Sequence, residues 1–428
     1  MELKLGKVNI NDIQFGKETQ IEDKTLFINK EELVDYIMED SNIKSVEIEL
    51  ARPGESTRII PIKDIIQPRT KVEGKGGIFP GFVNDLETVG TGTTYFLDGC
   101  AVVTCGKILH VQEGVIDMSG PGAKYASFSK MNLVVPVIEP KEDIDEHTHE
   151  KAIRLAGLKT AAYLGEAAKE VSPDENEIFS YDPVDEAKKL YPDLPQVVYV
   201  NMIQCQGLMH DNYVYGLNMK GILPGLITPT EIFDGAIVSG NCAAPCHKHT
   251  TFHHQNNPIV TELMRRHGKE LNFLGVILTK ESTMLAEKKH AAEYTLNVAK
   301  MIGAQGAIIS EEGGGNPETD LMLTCEMLED NGIDTVLVTD EYAGRDGRSQ
   351  GLADVTQKAD AVVTNGNGNE LVKLPPMDKV IGDITTVETI VGGFKGSLHD
   401  DGSISVELAS LIGCLNEMGF ENLTTKLK

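Results

Sequence analysis

The chain has 428 residues, 41% of them hydrophobic, which is room for about two to four domains with ample core. A formal charge of −26 spread over both halves argues against nucleic acid and anionic membranes as partners. The absence of tryptophan and an aromatic share of 5% exclude stacking platforms for bases or sugars. No segment approaches the roughly 18 apolar residues of a membrane span. The Met-Glu-Leu-Lys start has no signal-peptide character, so a cytoplasmic protein is expected. Seven cysteines, odd in number and scattered, point to reduced thiols.

In chain order, residues 3–10 and 46–50 alternate apolar with polar positions and predict half-buried strands, with a short helix over 31–40 between them. Residues 75–138 are Gly-rich with further strand runs ending in Leu133-Val-Val-Pro-Val-Ile138. The charged stretch 139–150, with His147 and His149, reads as a solvated loop. From 151 the period changes. Residues 152–169 are Ala- and Leu-rich at helical spacing, and Gln196 to Ile203 is an apolar run of the kind buried in a parallel sheet. Strands then alternate with helices: strand 271–279, helix 281–302, strand 306–310, helix 317–330, strands 335–339 and 361–364.

The expected fold is therefore α/β: a β-rich N-terminal region (1–150), an α/β segment (151–241) and an α/β domain (242–428). The open, mostly parallel layers are of Rossmann-like or flavodoxin-like type, with a ligand crevice beyond the strand carboxyl ends.

The densest chemistry lies in Val238-Ser-Gly-Asn-Cys-Ala-Ala-Pro-Cys-His-Lys-His-Thr250 and the residues behind it. Gly240 and Asn241 tolerate strained backbone angles. The Cys242 thiolate, one bond from the Asn241 carbonyl, can attack it through a five-membered ring and turn the amide into a thioester. Elimination across Cα–Cβ of residue 242 then releases the upstream chain. The dehydroalanine left behind loses ammonia to water and becomes a pyruvoyl group, an electrophilic cofactor for amines.

Cys246, His247, His249, His253 and His254 follow within a few residues, and His267 a little later. Their protonic reading is that histidines near a nascent carbonyl shuttle protons. Zinc is the rival reading, because thiolate and imidazole are its preferred ligands. The spacing matches no common zinc module, and the expectation is that no metal is bound. The cluster is placed in a loop ahead of a helix capped by Asn257, opened by Pro258 and stopped at Gly268. Downstream, Glu311, Glu312 and Asn316 flank a glycine turn between a strand and a helix. Two carboxylates at a strand's carboxyl end suit a cationic amine better than a phosphate, with Asn316 as helix cap. The loops 340–348 and 364–369 occupy equivalent positions.

Gly-Asn-Cys-Ala-Ala-Pro-Cys-His at 240–247, with Phe252-His-His-Gln-Asn-Asn-Pro258 behind it, resembles the proproteins of the substrate-binding component B of glycine reductase and its sarcosine and betaine relatives. The resemblance spans the whole chain in length and layout. It implies cleavage between Asn241 and Cys242 into a β subunit (1–241) and an α subunit (242–428) that carries the pyruvoyl group as its covalent cofactor. It also implies partners: a selenocysteine-containing γ subunit, selenoprotein A, component C and the thioredoxin system. The carbonyl would hold a small amino acid as a Schiff base, a selenolate would displace its nitrogen, and acetyl phosphate and ammonia would follow. The chain has no Cys-x-x-Cys and no selenocysteine of its own, so it is not expected to carry out the reduction alone. Glycine is the expected substrate. The alternatives are sarcosine or betaine, then a proline reductase-like proprotein, then a zinc-dependent hydrolase or deaminase, with a non-catalytic scaffold subunit as a further rival.

Overall fold

A computed structural model of the chain describes residues 1–107, 112–206, 211–240 and 243–419. Asn241 and Cys242 lie outside the described residues. The protein is mixed α/β, and its N-terminal part is built of sheets. One has the strand order Glu175–Ser180, Glu2–Asn9, Gly92–Asp98, Arg69–Glu73. A larger one runs Gly114–Asp117, Thr57–Ile66 (β1), Cys100–Cys105, Asn132–Pro140, Ile43–Ala51. Alternation decides which residues face which way. Val102 and Val134 join the core under helix α1 (Glu146–Glu166), whereas Ala101, Val103, Leu133 and Val135 face Phe252, Ile381 and Ile412. Covered on both faces, β1 is buried along its whole length.

The second layer is one six-stranded sheet. Its elements in chain order are β2 (Gln196–Gln204), β3 (Gly225–Ile227), the short helix α2 (Thr251–Gln255), α3 (Pro258–Arg266) and β4 (Asn272–Glu281). They continue with α4 (Leu285–Ile302), β5 (Gly306–Ser310), α5 (Asn316–Glu329), β6 (Asp334–Glu341) and β7 (Val362–Asn367). The strand order is β3-β4-β2-β5-β6-β7, parallel throughout except for β3 at one edge. The order reverses between β2 and β5, and in open α/β sheets ligand sites form at such a reversal, beyond the strand carboxyl ends. Val198, Val200 and Met202 face the core shared with α4 and α5, while Tyr199 and Ile203 face the one shared with α3.

The sheets do not follow the chain segments. β2 lies between β4 and β5, paired from Gln196↔Asn272 to Gln204↔Glu281 on one side and from Val197↔Gly306 to Asn201↔Ser310 on the other. A strand from before position 241 is thus enclosed by two from after it. The late strand β8 (Lys379–Gly382) returns the exchange by pairing with β1.

Three local expectations need correction. Of the stretch 139–150 only 141–145 form a solvated loop: the preceding strand runs to Pro140 and α1 begins at Glu146, because the Asp145 side chain accepts from the His147 and Thr148 amides as an N-cap. The histidine cluster is not a loop. Pro245–His247 form a 3-10 turn, and Thr250 caps α2 through a reciprocal contact with His253. The cap of α5 is Gly315 rather than Asn316. Its φ of 81° and the 99° of Gly313 lie in the left-handed region, so the glycines serve the turn itself. The α3 boundaries are as expected, with the Asn257 side chain accepting from the Val260 amide.

Candidate functional site

The carboxyl ends of β2, β4, β5 and β6 bring Gln204, Glu281, Ser310 to Glu312, and Asp340 together, all of them buried. Residues 243–257 pack across this end. They are held from the other layer by Asp64 of β1, whose carboxylate accepts from the Thr251 amide (3.0 Å) and hydroxyl (2.7 Å). Thr251 Oγ1 also accepts from the Ser239 amide at 3.0 Å.

Glu312 ties together segments that precede and follow position 241. It accepts from the His249 amide (2.7 Å), the Gln204 amide (3.2 Å) and Asn212 Nδ2 (2.6 Å), and Asn212 Oδ1 in turn accepts from the Gly240 amide (3.3 Å). Gly240 and Ala243, the described neighbours on either side, are both buried. Gly240, by way of Asn212, and His249 are therefore tied to the same buried carboxylate.

The histidines divide into two electrostatic environments. His247 Nδ1 sits 3.1 Å from Asp340 Oδ2 and 3.6 Å from Glu417 Oε1, its ring edge-on to Tyr342. Burial opposes a charged imidazole here, but the pull of Cys246, Asp340 and Glu417 outweighs it and holds His247 well above its usual pKa. His249, His253 and His254 face the opposite balance. Burial, reinforced at His249 and His253 by neighbouring imidazoles, holds His249 well below the usual value and takes His253 and His254 down to about 3. They are neutral rings that resist protonation and keep lone pairs available for a hydrogen bond or a metal. His253 Nδ1 meets Thr250 Oγ1 at 3.0 Å and Asn416 Nδ2 at 3.3 Å. Neither ring nitrogen of His254 has a hydrogen-bond partner among the described residues.

Cys246 is buried, with Sγ 3.5 Å from the Tyr342 hydroxyl. Two groups of donor atoms lie within 4.8 Å of one another: Cys246, His247 and Asp340, and separately His249, His254 and Glu312. Glu311 is also wholly buried. Its carboxyl accepts from the Thr339 hydroxyl, and burial raises its pKa well above the usual carboxylate range. Glu311 and Glu312 thus serve the interior of the site, and Asn316 is exposed at the start of α5. His267 stands apart at the end of α3, its Nδ1 accepting from the Phe273 amide at 3.0 Å. Asn212, Glu281, Tyr342 and Glu417 were not singled out by the sequence. Glu417, from the last described turn, has no local motif that could have revealed it.

The strand ends and residues 243–257 thus enclose a buried cluster of neutral and charged imidazoles and carboxylates. The chain belongs to the family of glycine/sarcosine/betaine reductase component B subunits, whose match covers residues 1–426, and it is thereby a reductase component. It is 52% identical, over the full length of both chains, to the glycine reductase complex component B subunits alpha and beta of Peptoclostridium acidaminophilum. From the same organism, the sarcosine reductase complex component B subunit alpha is 51% identical and the betaine reductase complex component B subunit alpha 38% identical, again over the full length of both chains. No solved structure matches. The family resemblance read from residues 240–258 is borne out. Among the described residues no helix is long and apolar enough to cross a membrane.

Proposed function

We propose that this chain is the precursor of the pyruvoyl-bearing, substrate-binding component of a glycine reductase complex, cleaving itself between Asn241 and Cys242. The observation that carries the reading is the double tether through Glu312, which holds Gly240 by way of Asn212 and His249 directly. Intramolecular attack gains most when its two reacting groups are held in place, and fixed flanks restrict the dipeptide between them. Neutral His249, His253 and His254 supply bases for the Cys242 thiol and for its α-proton, and His247 supplies a cation beside them. In the balanced sequence, the thiol adds to the Asn241 carbonyl and the amide nitrogen leaves. Loss of the α-proton then expels the thiocarboxylate of the upstream chain, and water replaces ammonia at residue 242.

The surroundings fit such a group. Both atoms of the Asn201 amide and both nitrogens of His254 are buried without a hydrogen-bond partner among the described residues, leaving polar capacity for a carbonyl and its substrate. When formed, the pyruvoyl group supplies an electrophilic ketone that takes an amine and weakens its C–N bond. The chain's own residues orient it, exclude water and move protons. A partner must then supply the nucleophile and electrons: the selenocysteine-containing γ subunit, selenoprotein A, component C and the thioredoxin system in a cytoplasmic complex. Glycine is the substrate we propose, after the full-length relative named for it. The strand order β4-β2-β5-β6-β7 supports reading the second layer as a flavodoxin-like doubly wound sheet.

The test is an intact-mass spectrum of native protein with and without borohydride. The expected result is two fragments, the smaller about 33 Da below its cysteine-started mass and shifted by borohydride. The Cys242→Ala protein should remain one chain. Processing in that variant, or a native protein that stays whole, overturns the reading.

A further inference from the structure

His249 and His254 do not share a helix face. They meet because His249 precedes the Thr250 cap while His254 lies inside α2, and Glu312 joins them from the end of β5, 58 residues further along the chain than His254. This is why the spacing of the run itself shows no metal signature. Their donor atoms all fall within 4.8 Å of one another, the side chains are wholly buried, and the two imidazole rings stand nearly perpendicular (84°) with centroids 5.7 Å apart. Two imidazoles on one tetrahedral ion, with bonds of about 2.0 Å, have centroids roughly 5 Å apart and donor atoms roughly 3.3 Å apart. Small ring rotations close the difference.

A second observation points the same way. A buried polar atom left without a partner costs on the order of 1–3 kcal/mol. Neither nitrogen of His254 has a hydrogen-bond partner among the described residues, and neither has His249, whose Nε2 has only Glu417 Oε2 at 3.5 Å. In the neighbouring group the donors are already engaged: His247 with Asp340, and Cys246 with Tyr342. The open nitrogens of His249 and His254 give the first group imidazole ligating capacity, whereas in the second group His247 and Cys246 are engaged and Asp340 Oδ1 alone is without a partner among the described residues.

We propose that His249, His254 and Glu312 bind a first-row divalent metal ion of zinc type, leaving its remaining position open to water or a small-molecule carboxylate. Two neutral imidazoles and a carboxylate form a donor set that such ions prefer, and three protein ligands with an open position are the pattern of reactive rather than structural sites. Glu312 would then serve two ends, gripping the ion and tying it to the backbone on both sides of residues 241–242. With the ion held by His249 and His254, His253 outside the ligand set is left as the base for chain cleavage, so the metal site does not require cleavage to occur.

The experiment uses the full chain purified without chelators, with metal measured by plasma mass spectrometry and processing read on the same sample by intact mass. About one equivalent is expected in the wild type and in Cys246→Ser, and less than about a tenth in His254→Phe. Replacement by Co²⁺ should give the visible absorption of a tetrahedral site, and X-ray absorption at the metal edge should show nitrogen and oxygen neighbours only. The absorption measurement needs no variant to fold. A wild type that is metal-free and takes up neither Zn²⁺ nor Co²⁺ on dialysis overturns the site. So does a sulfur neighbour, or metal lost in Cys246→Ser and retained in His254→Phe. An intact chain holding one ion at His254 supports the site and counts only against the cleavage reading.

Discussion

Interrupting the chain between residues 241 and 242 should leave the two pieces inseparable under native conditions, because β2 of the first piece is enclosed by β4 and β5 of the second. Val198, Tyr199, Val200, Met202 and Ile203 of β2 are each at most 1% exposed, on alternating faces. At about 1.5–3 kcal/mol per buried side chain they contribute roughly 7–15 kcal/mol, an upper estimate because unfolded chains already bury some surface. The pairing of β8 with β1, the two bonds from Thr251 to Asp64 and the Arg69 contacts to Gln255 and Asn256 add to this across the same divide. Association itself costs several kcal/mol, and about 8 kcal/mol net already gives a micromolar complex. The assay is to express 1–241 and 242–428 separately and together. Co-expressed pieces should co-elute in a 1:1 ratio from size exclusion at micromolar concentration and separate only in denaturant. Piece 1–241 alone should aggregate, its β2 lacking both neighbours. A folded, monomeric 1–241 that fails to bind 242–428 would refute the reasoning.

Three further predictions follow from single groups. Burial takes the Cys100 and Cys105 thiols up to about 12, so at pH 8 about one in ten thousand is thiolate; native protein should leave both unalkylated by iodoacetamide. Denatured protein should titrate six thiols per chain if residue 242 has been converted, and all seven if not. Asp320 is pushed up to about 6, chiefly by burial. A carboxyl raised on folding contributes stability present below its unfolded pKa and lost as pH rises through the folded one. Asp320→Asn should therefore gain about 2 kcal/mol on the wild type between pH 4 and 7, measured by urea unfolding, and parallel curves would count against it. At Gly240 an added methyl would stand 2.5 Å from both the Asp211 carbonyl and the Tyr213 ring, so Gly240→Ala must move the segment entering the cleavage point. Processing, followed by gel, should slow by about tenfold or more; unchanged processing would mean that the Gly240 tether does not position the bond.

What the sequence made legible was periodic or contiguous. The apolar run of β2, the strand and helix alternation after residue 270 and the Asn257-Pro258 helix start all appear close to where they were expected, because each signal lies within one turn or one strand. The cysteine and histidine run was legible as a cluster for the same reason. Its internal structure was not. Thr250 and His253 form a capping contact that turns an expected loop into a helix, and a capping box with histidine in place of Glu or Gln is easily overlooked. The long-range members were beyond reach. Asp64 and Asn212 meet the cluster only because two sheets exchange strands across position 241, and Glu417 arrives from the last described turn; no periodicity encodes which sheet a strand will join, whereas Glu312 was legible as part of the glycine turn but not as a partner of the cluster.

One short run holds histidines in opposite charge states. His247 points to the end of β6 and the last described turn, where Asp340 and Glu417 favour the imidazolium. His253 and His254 lie on a helix pinned to β1 by Asp64, beside Phe128 and away from those carboxylates, where burial dominates. His249 shares Glu417 with His247 yet is held neutral by burial and by the neighbouring imidazoles, so the charge balance is set ring by ring within one buried cluster. The fold assembles that cluster by packing residues 243–257 across the strand ends, held from the other layer by Asp64.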